Sequence, residues 1–164
     1  MTAVDRRPAG FSRSVSGFFG CLAFVASGFY SWPALLVGGV GLLILASGLV
    51  RAMRPAVTTG SFGLFFASVV AGTQGAPVGS VLASVVFVVV AWDVGANAIS
   101  IGAQLGRSAE TIRIEAVHAT ATLVVGVGTA GIGYGIYQLG TGGHPLAAIT
   151  FLLLGAILLI GTLD

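Results

Sequence analysis

Six apolar stretches of near-spanning length run almost end to end through this chain, at about 14–31, 34–50, 56–73, 78–97, 115–139 and 146–163. A hydrocarbon core about 30 Å thick takes roughly 20 helical residues, and a lone segment in lipid satisfies its backbone only as a helix. The pattern predicts an all-α membrane protein with six transmembrane helices. Charge agrees: 7% of residues are charged and 56% hydrophobic, which leaves no means of building a soluble surface. The 26 glycines fit the same class, because small residues let membrane helices approach closely.

The separators between the stretches are of two kinds. One is a turn running from glycine to proline: Gly28 to Pro33, Gly72 to Pro77 and Gly140 to Pro145. Glycine suits a left-handed residue at a helix end, and proline suits the first turn of the next helix. These turns predict three helical hairpins of common plan. The other kind carries the arginines: Arg6, Arg7 and Arg13 before the first stretch, Arg51 and Arg54 between the second and third, Arg107 and Arg113 between the fourth and fifth. In a six-span plan they all fall on one side, which the positive-inside rule makes the cytoplasm. The expectation is one transmembrane domain over 1–164 in the cell membrane, with a cytoplasmic tail at 1–13 and both termini inside. Tyr30, Trp32, Tyr134 and Tyr137 fall where interfacial aromatics belong.

The fourth stretch has no stop signal before Gly106, and a helix over 78–105 would be about 42 Å long at ~1.5 Å per residue. That exceeds the hydrocarbon thickness, so 98–114 is expected to form a cytoplasmic helical extension and turn. Its polar residues line one helix face: Asp93, Asn97, Ser100, Gln104 and Arg107 recur at intervals of three and four. On the returning helix Glu115, His118 and Thr122 do the same, with Glu110 and Arg113 nearer the tip. Folding the hairpin about its turn places Asp93 close to His118 or Thr120, Asn97 near Glu115 and Ser100 near Arg113. A carboxylate inside the membrane is costly without a partner, and His118 is the best one available to Asp93.

Two readings of this stripe stay open. It can glue two helices and solvate their extension. Alternatively Asp93, Asn97, Gln104, Glu115 and His118 form a functional site, since a histidine beside a carboxylate can relay protons.

Other chemistries are excluded. Gly126-Val-Gly128-Thr-Ala-Gly131 matches a dinucleotide-binding fingerprint, but that mechanism needs a preceding strand and an acid about 20 residues on, where this chain reads Phe-Leu-Leu-Leu. His118, His144 and Cys21 fall in separate places, so no metal is expected. Cys21 lies within an apolar run and packs; the stretch around it continues too far to be a lipoprotein signal, and the first stretch reads as a span rather than a signal peptide. A net charge of +2 from seven arginines and five acids is too weak a field for nucleic acid.

The segment Ala91-Trp92-Asp93-Val94-Gly95-Ala96-Asn97-Ala98, with Gly102 to Arg107 and Glu110 to Ala119, resembles a family of small multi-pass membrane proteins of haloarchaea whose function is unknown. The absence of lysine is in keeping with such a source. The resemblance implies a multi-pass protein and supplies no catalytic residues. The first functional expectation is a non-enzymatic anchor or assembly partner without cofactor, embedded in the bilayer, whose cytoplasmic tip at Arg107, Glu110 and Arg113 docks a protein. The alternative is a small proton- or ion-coupled transporter or channel using the Asp93/His118 pair. Oligomeric state is not legible from the sequence.

Overall fold

A computed structural model describes residues 9–105 and 111–140. Five helices make up the described residues, with no strand: α1 (Gly10–Gly28), α2 (Trp32–Arg51), α3 (Arg54–Thr73), α4 (Val78–Leu105) and α5 (Ile112–Gly140). Four of them, α2 to α5, are long and apolar enough to cross a membrane. α1 is long enough but less apolar, because Ser12, Arg13, Ser14 and Ser16 occupy its first two turns. The expected architecture of six transmembrane helices in three hairpins is therefore corrected to five helices with four candidate spans. The stretch 146–163, expected as a sixth, lies outside the described residues, as does the third glycine-to-proline turn. The expectation of a cytoplasmic C-terminus rested on that stretch and, like it, lies outside the described residues.

The chain divides into two units, residues 1–130 and 131–164. The first holds α1 to α4 and α5 as far as Ala130. In the described part of the second, Tyr134 stacks on Tyr137 with centroids 6.2 Å apart, and Gln138 Nε2 donates to the Tyr134 hydroxyl.

The helix ends follow local chemistry. Ser31 caps α2 by accepting from the Ala34 N–H, and Pro33 sits in the first turn, where its missing N–H costs nothing. α2 closes on Ala52 in the left-handed region (φ 56), with the Met53 N–H reaching back to Gly48 O at 2.9 Å. At the end of α3 the left-handed residue is Gly75 (φ 90), and the Ala76 N–H bonds Ala71 O in the same six-to-one pattern. No left-handed residue ends α1: Gly28 is its last helical residue, and a Cβ there would lie 3.6 Å from Leu35. The first two glycine-to-proline turns thus differ in backbone, and a plan common to three hairpins is not what the helix ends share.

Glycine earns its place inside the bundle by proximity. α2 and α3 pair most extensively, and a Cβ on Gly48 would come within 2.6 Å of Val57 N, and one on Gly41 within 2.8 Å of Leu64 N. Gly60 would strike the Leu45 backbone. Around this contact Leu45, Leu49, Val57 and Leu64 form the core with Ala23, Val88, Ala91 and Ile99 from α1 and α4. Buried serines join the helices as well. Ser84 on α4 lies 2.7 Å from Ser68 on α3 and 3.0 Å from Ala23 O on α1, while Ser16 on α1 donates to Ala91 O on α4. Such hydroxyl bridges are favourable where water is absent.

Candidate functional site

The polar stripe of α4 and the returning α5 meets at two separate points. α4 runs the full length from Val78 to Leu105 that the missing stop signal predicted, so Asp93 comes after four turns. His118 and Thr122, one turn apart on α5, stand opposite it. Thr122 Oγ1 donates to Asp93 Oδ2 at 2.6 Å, and His118 Nε2 lies 2.8 Å from the same oxygen. The expected juxtaposition of Asp93 with His118 is present, though the imidazole N–H is not aligned for a hydrogen bond and the contact is one of proximity. Both side chains remain partly open, 33% for Asp93 and 40% for His118.

They stand at one end of a groove of about 630 Å³ between α4 and α5. Leu82, Val86 and Val89 line it on α4, and Ala121, Val125 and Ala130 on α5, so beyond the Asp93 end its walls are almost wholly apolar. Trp92, beside Asp93, turns to α3 and donates from Nε1 to Thr58 Oγ1 at 3.2 Å.

The second point is Glu115, which is 2% exposed. Its expected neighbour was Asn97; its actual partners lie elsewhere. Oε2 accepts from the Ser12 backbone N–H at 2.8 Å, and Oε1 accepts from Thr111 Oγ1. Ser12 is in the first turn of α1, whose N-cap residue, Ala9, has no side chain able to accept. The first amides of a helix lack internal partners and carry its positive dipole end, so a carboxylate is the group best suited to them. α1 is thus capped by an acid from α5. The Ala9 N–H completes the same end by donating to Ala98 O on α4 at 3.1 Å.

Of the remaining stripe, Ser100 bonds back to Ala96 O rather than to Arg113, Asn97 is half-buried, and Gln104 and Arg113 are exposed. Arg107 and Glu110 lie outside the described residues. Sequence reasoning missed Ser12 and Thr111 as partners of Glu115. Its one available signal was that α1 opens on alanine, without a side-chain cap of its own. Among the described residues no group of three or more His, Cys, Asp or Glu is placed to hold a metal.

α5 is distinctive in how little it buries. Buried residues make up 33% of the apolar stretch of α2 and 39% of those of α3 and α4, but 6% of that of α5. Its glycines differ accordingly from those of α2 and α3: among the described residues, a methyl group added to Gly128, Gly131, Gly133 or Gly135 would meet nothing within 4 Å.

The chain belongs to the family of unknown function DUF7519, whose model matches residues 6–160. No curated protein and no solved structure matches it.

Proposed function

We propose that this member of the DUF7519 family is a non-enzymatic assembly component of a cell-membrane complex, and that α5 is the helix it offers to a partner. The observation that carries this reading is the 6% burial of a spanning helix beside neighbours buried several times as much. Between membrane helices, close approach over small residues supplies the packing energy. Gly41, Gly48 and Gly60 of α2 and α3 are used in that way, whereas Gly128, Gly131 and Gly135 recur at +3 and +4 along α5 and meet nothing among the described residues. Orientation follows from the arginines. Helix alternation puts Arg13, the Arg51/Arg54 pair and Arg113 at one end of the first unit, and the positive-inside rule makes that end cytoplasmic. The tip between α4 and α5, with Arg107, Glu110 and Arg113, then faces soluble partners. A haloarchaeal source belongs to the same reading, on the resemblance and the lysine-free composition.

The test is affinity purification of the full chain from its own membranes, beside a variant with Gly128, Gly131 and Gly135 changed to Leu and a variant lacking 104–113. The expected result is loss of co-purifying membrane proteins from the first and of soluble ones from the second. An unchanged set of companions in both overturns the reading.

One observation favours a second reading, a small proton- or ion-coupled transporter. Asp93 and His118 approach to 2.8 Å on a groove wall, an arrangement suited to passing a proton. Vesicles containing the protein would then show a proton flux that Asp93→Asn abolishes. Equal flux from both proteins would end this alternative.

A further inference from the structure

We propose that the groove between α4 and α5 is a binding site for a long-chain neutral alcohol, its hydrocarbon tail along the apolar walls and its hydroxyl on Asp93. Shape is the first argument. From Leu82 to Asp93 the groove follows α4 for eleven residues, or about 16 Å at ~1.5 Å per residue. Its volume of about 630 Å³ over that length leaves a cross-section of roughly 40 Å². A hydrocarbon chain, only a few ångströms wide, fits.

Polarity is the second argument. The walls are apolar from Leu82 to Val89 apart from Thr129 on α5, and the acid stands at one end beside His118 and Thr122. A carboxylate only accepts hydrogen bonds, so it selects a head that donates and repels phosphate or carboxylate heads. Oδ2 is occupied by Thr122, yet a third of the Asp93 side chain stays open to the groove. What the open edge of the carboxylate still takes is a hydrogen-bond donor.

Depth is the third. Asp93 is fifteen residues beyond Val78, about 23 Å along α4, within a hydrocarbon core about 30 Å thick. A phosphate head would have to be drawn some way below its interface to reach it. A hydroxyl on a hydrocarbon chain pays little to sit there. The site uses the face of α5 that carries His118, Thr122 and Val125, and Gly128, three residues beyond Val125, borders it, so an alcohol in the groove and the partner of the assembly reading are told apart by the Val125→Cys cross-link below.

The experiment is photolabelling of the full chain in nanodiscs with a hexadecanol analogue carrying a mid-chain diazirine, read by peptide mass spectrometry. Labelling is expected on the α4 and α5 peptides that contain Val86 and Val125. Hexadecanol should compete, and hexadecyl phosphate and hexadecane should not. Val125→Trp, which fills the groove, should remove the label, as should Ala121→Leu if the tryptophan variant fails to fold. Asp93→Leu should cut the advantage of hexadecanol over hexadecane by about tenfold, the size set by one hydrogen bond to a charged acceptor. Label spread evenly over all lipid-facing helices, competition by the phosphate equal to that by the alcohol, or an Asp93→Leu protein with its preference intact would each overturn the proposal. So would a cross-linked dimer through Val125→Cys, which would mean a second copy covers the groove.

Discussion

Glu115 carries more of the packing than its position near a helix end implies. Both its oxygens are engaged, one by the first turn of α1 and one by Thr111, and almost none of it reaches solvent. Removing it leaves a buried N–H without an acceptor, which costs about 1–3 kcal/mol. Glu115→Ala should therefore lower the thermal midpoint of the purified protein clearly. Glu115→Gln should lower it less, because the amide oxygen still accepts from Ser12 while the Thr111 hydroxyl turns to accept from the amide nitrogen. If the two variants melt together, the cap contributes nothing and the acid serves another purpose. Spacing in the sequence paired Asp93 with His118 because both lie on facing sides of one hairpin, where a single turn position determines the register. Glu115 could not be read in that way, since its partner belongs to a helix 103 residues earlier and is a backbone amide that no side-chain pattern reveals.

Among the helices, glycine has two uses that composition alone does not separate. In the α2–α3 contact a methyl group has nowhere to go: at Gly48 and Gly60 it would meet backbone atoms, which no rotamer change relieves. Gly48→Ala and Gly60→Ala should each destabilise the protein by about 1–3 kcal/mol or more through overpacking. Gly133→Ala, in open surroundings, should be neutral or slightly favourable, since alanine is the better helix former by about 1 kcal/mol. Circular dichroism melts in one detergent would compare the three; an equal loss at Gly133 would mean that α5 is covered after all. Helix starts and stops were largely legible from Pro33, Pro77 and the arginine pair Arg51/Arg54. The left-handed Ala52 was not, because alanine carries no signal for that backbone and is held there by the bond from Met53 to Gly48.

For the whole molecule, helices long and apolar enough to cross a membrane follow from composition, and their number does not. α1 shows why. Its second half is apolar, but Ser16 bonds α4, the Ser12 N–H bonds Glu115 and the first turn carries Arg13, so the segment is built as much for its neighbours as for lipid. Orientation is open to direct measurement. In a Cys21→Ala background, a cysteine at Gln74 should react with an impermeant maleimide only from outside intact cells, and cysteines at Arg54 and Arg113 only after the membrane is opened. The reverse pattern would invert the arginine argument and with it the docking tip of the proposed function.

The capping of α1 by Glu115 also sets an order of events. A ribosome adds about 5–20 residues per second, so the acid that closes the first turn of α1 emerges roughly 5–20 s after the turn itself. Throughout that interval the first turn of α1 lacks the acceptor that the folded protein gives it, so this end of the first helix reaches its final form only after the fifth has been made.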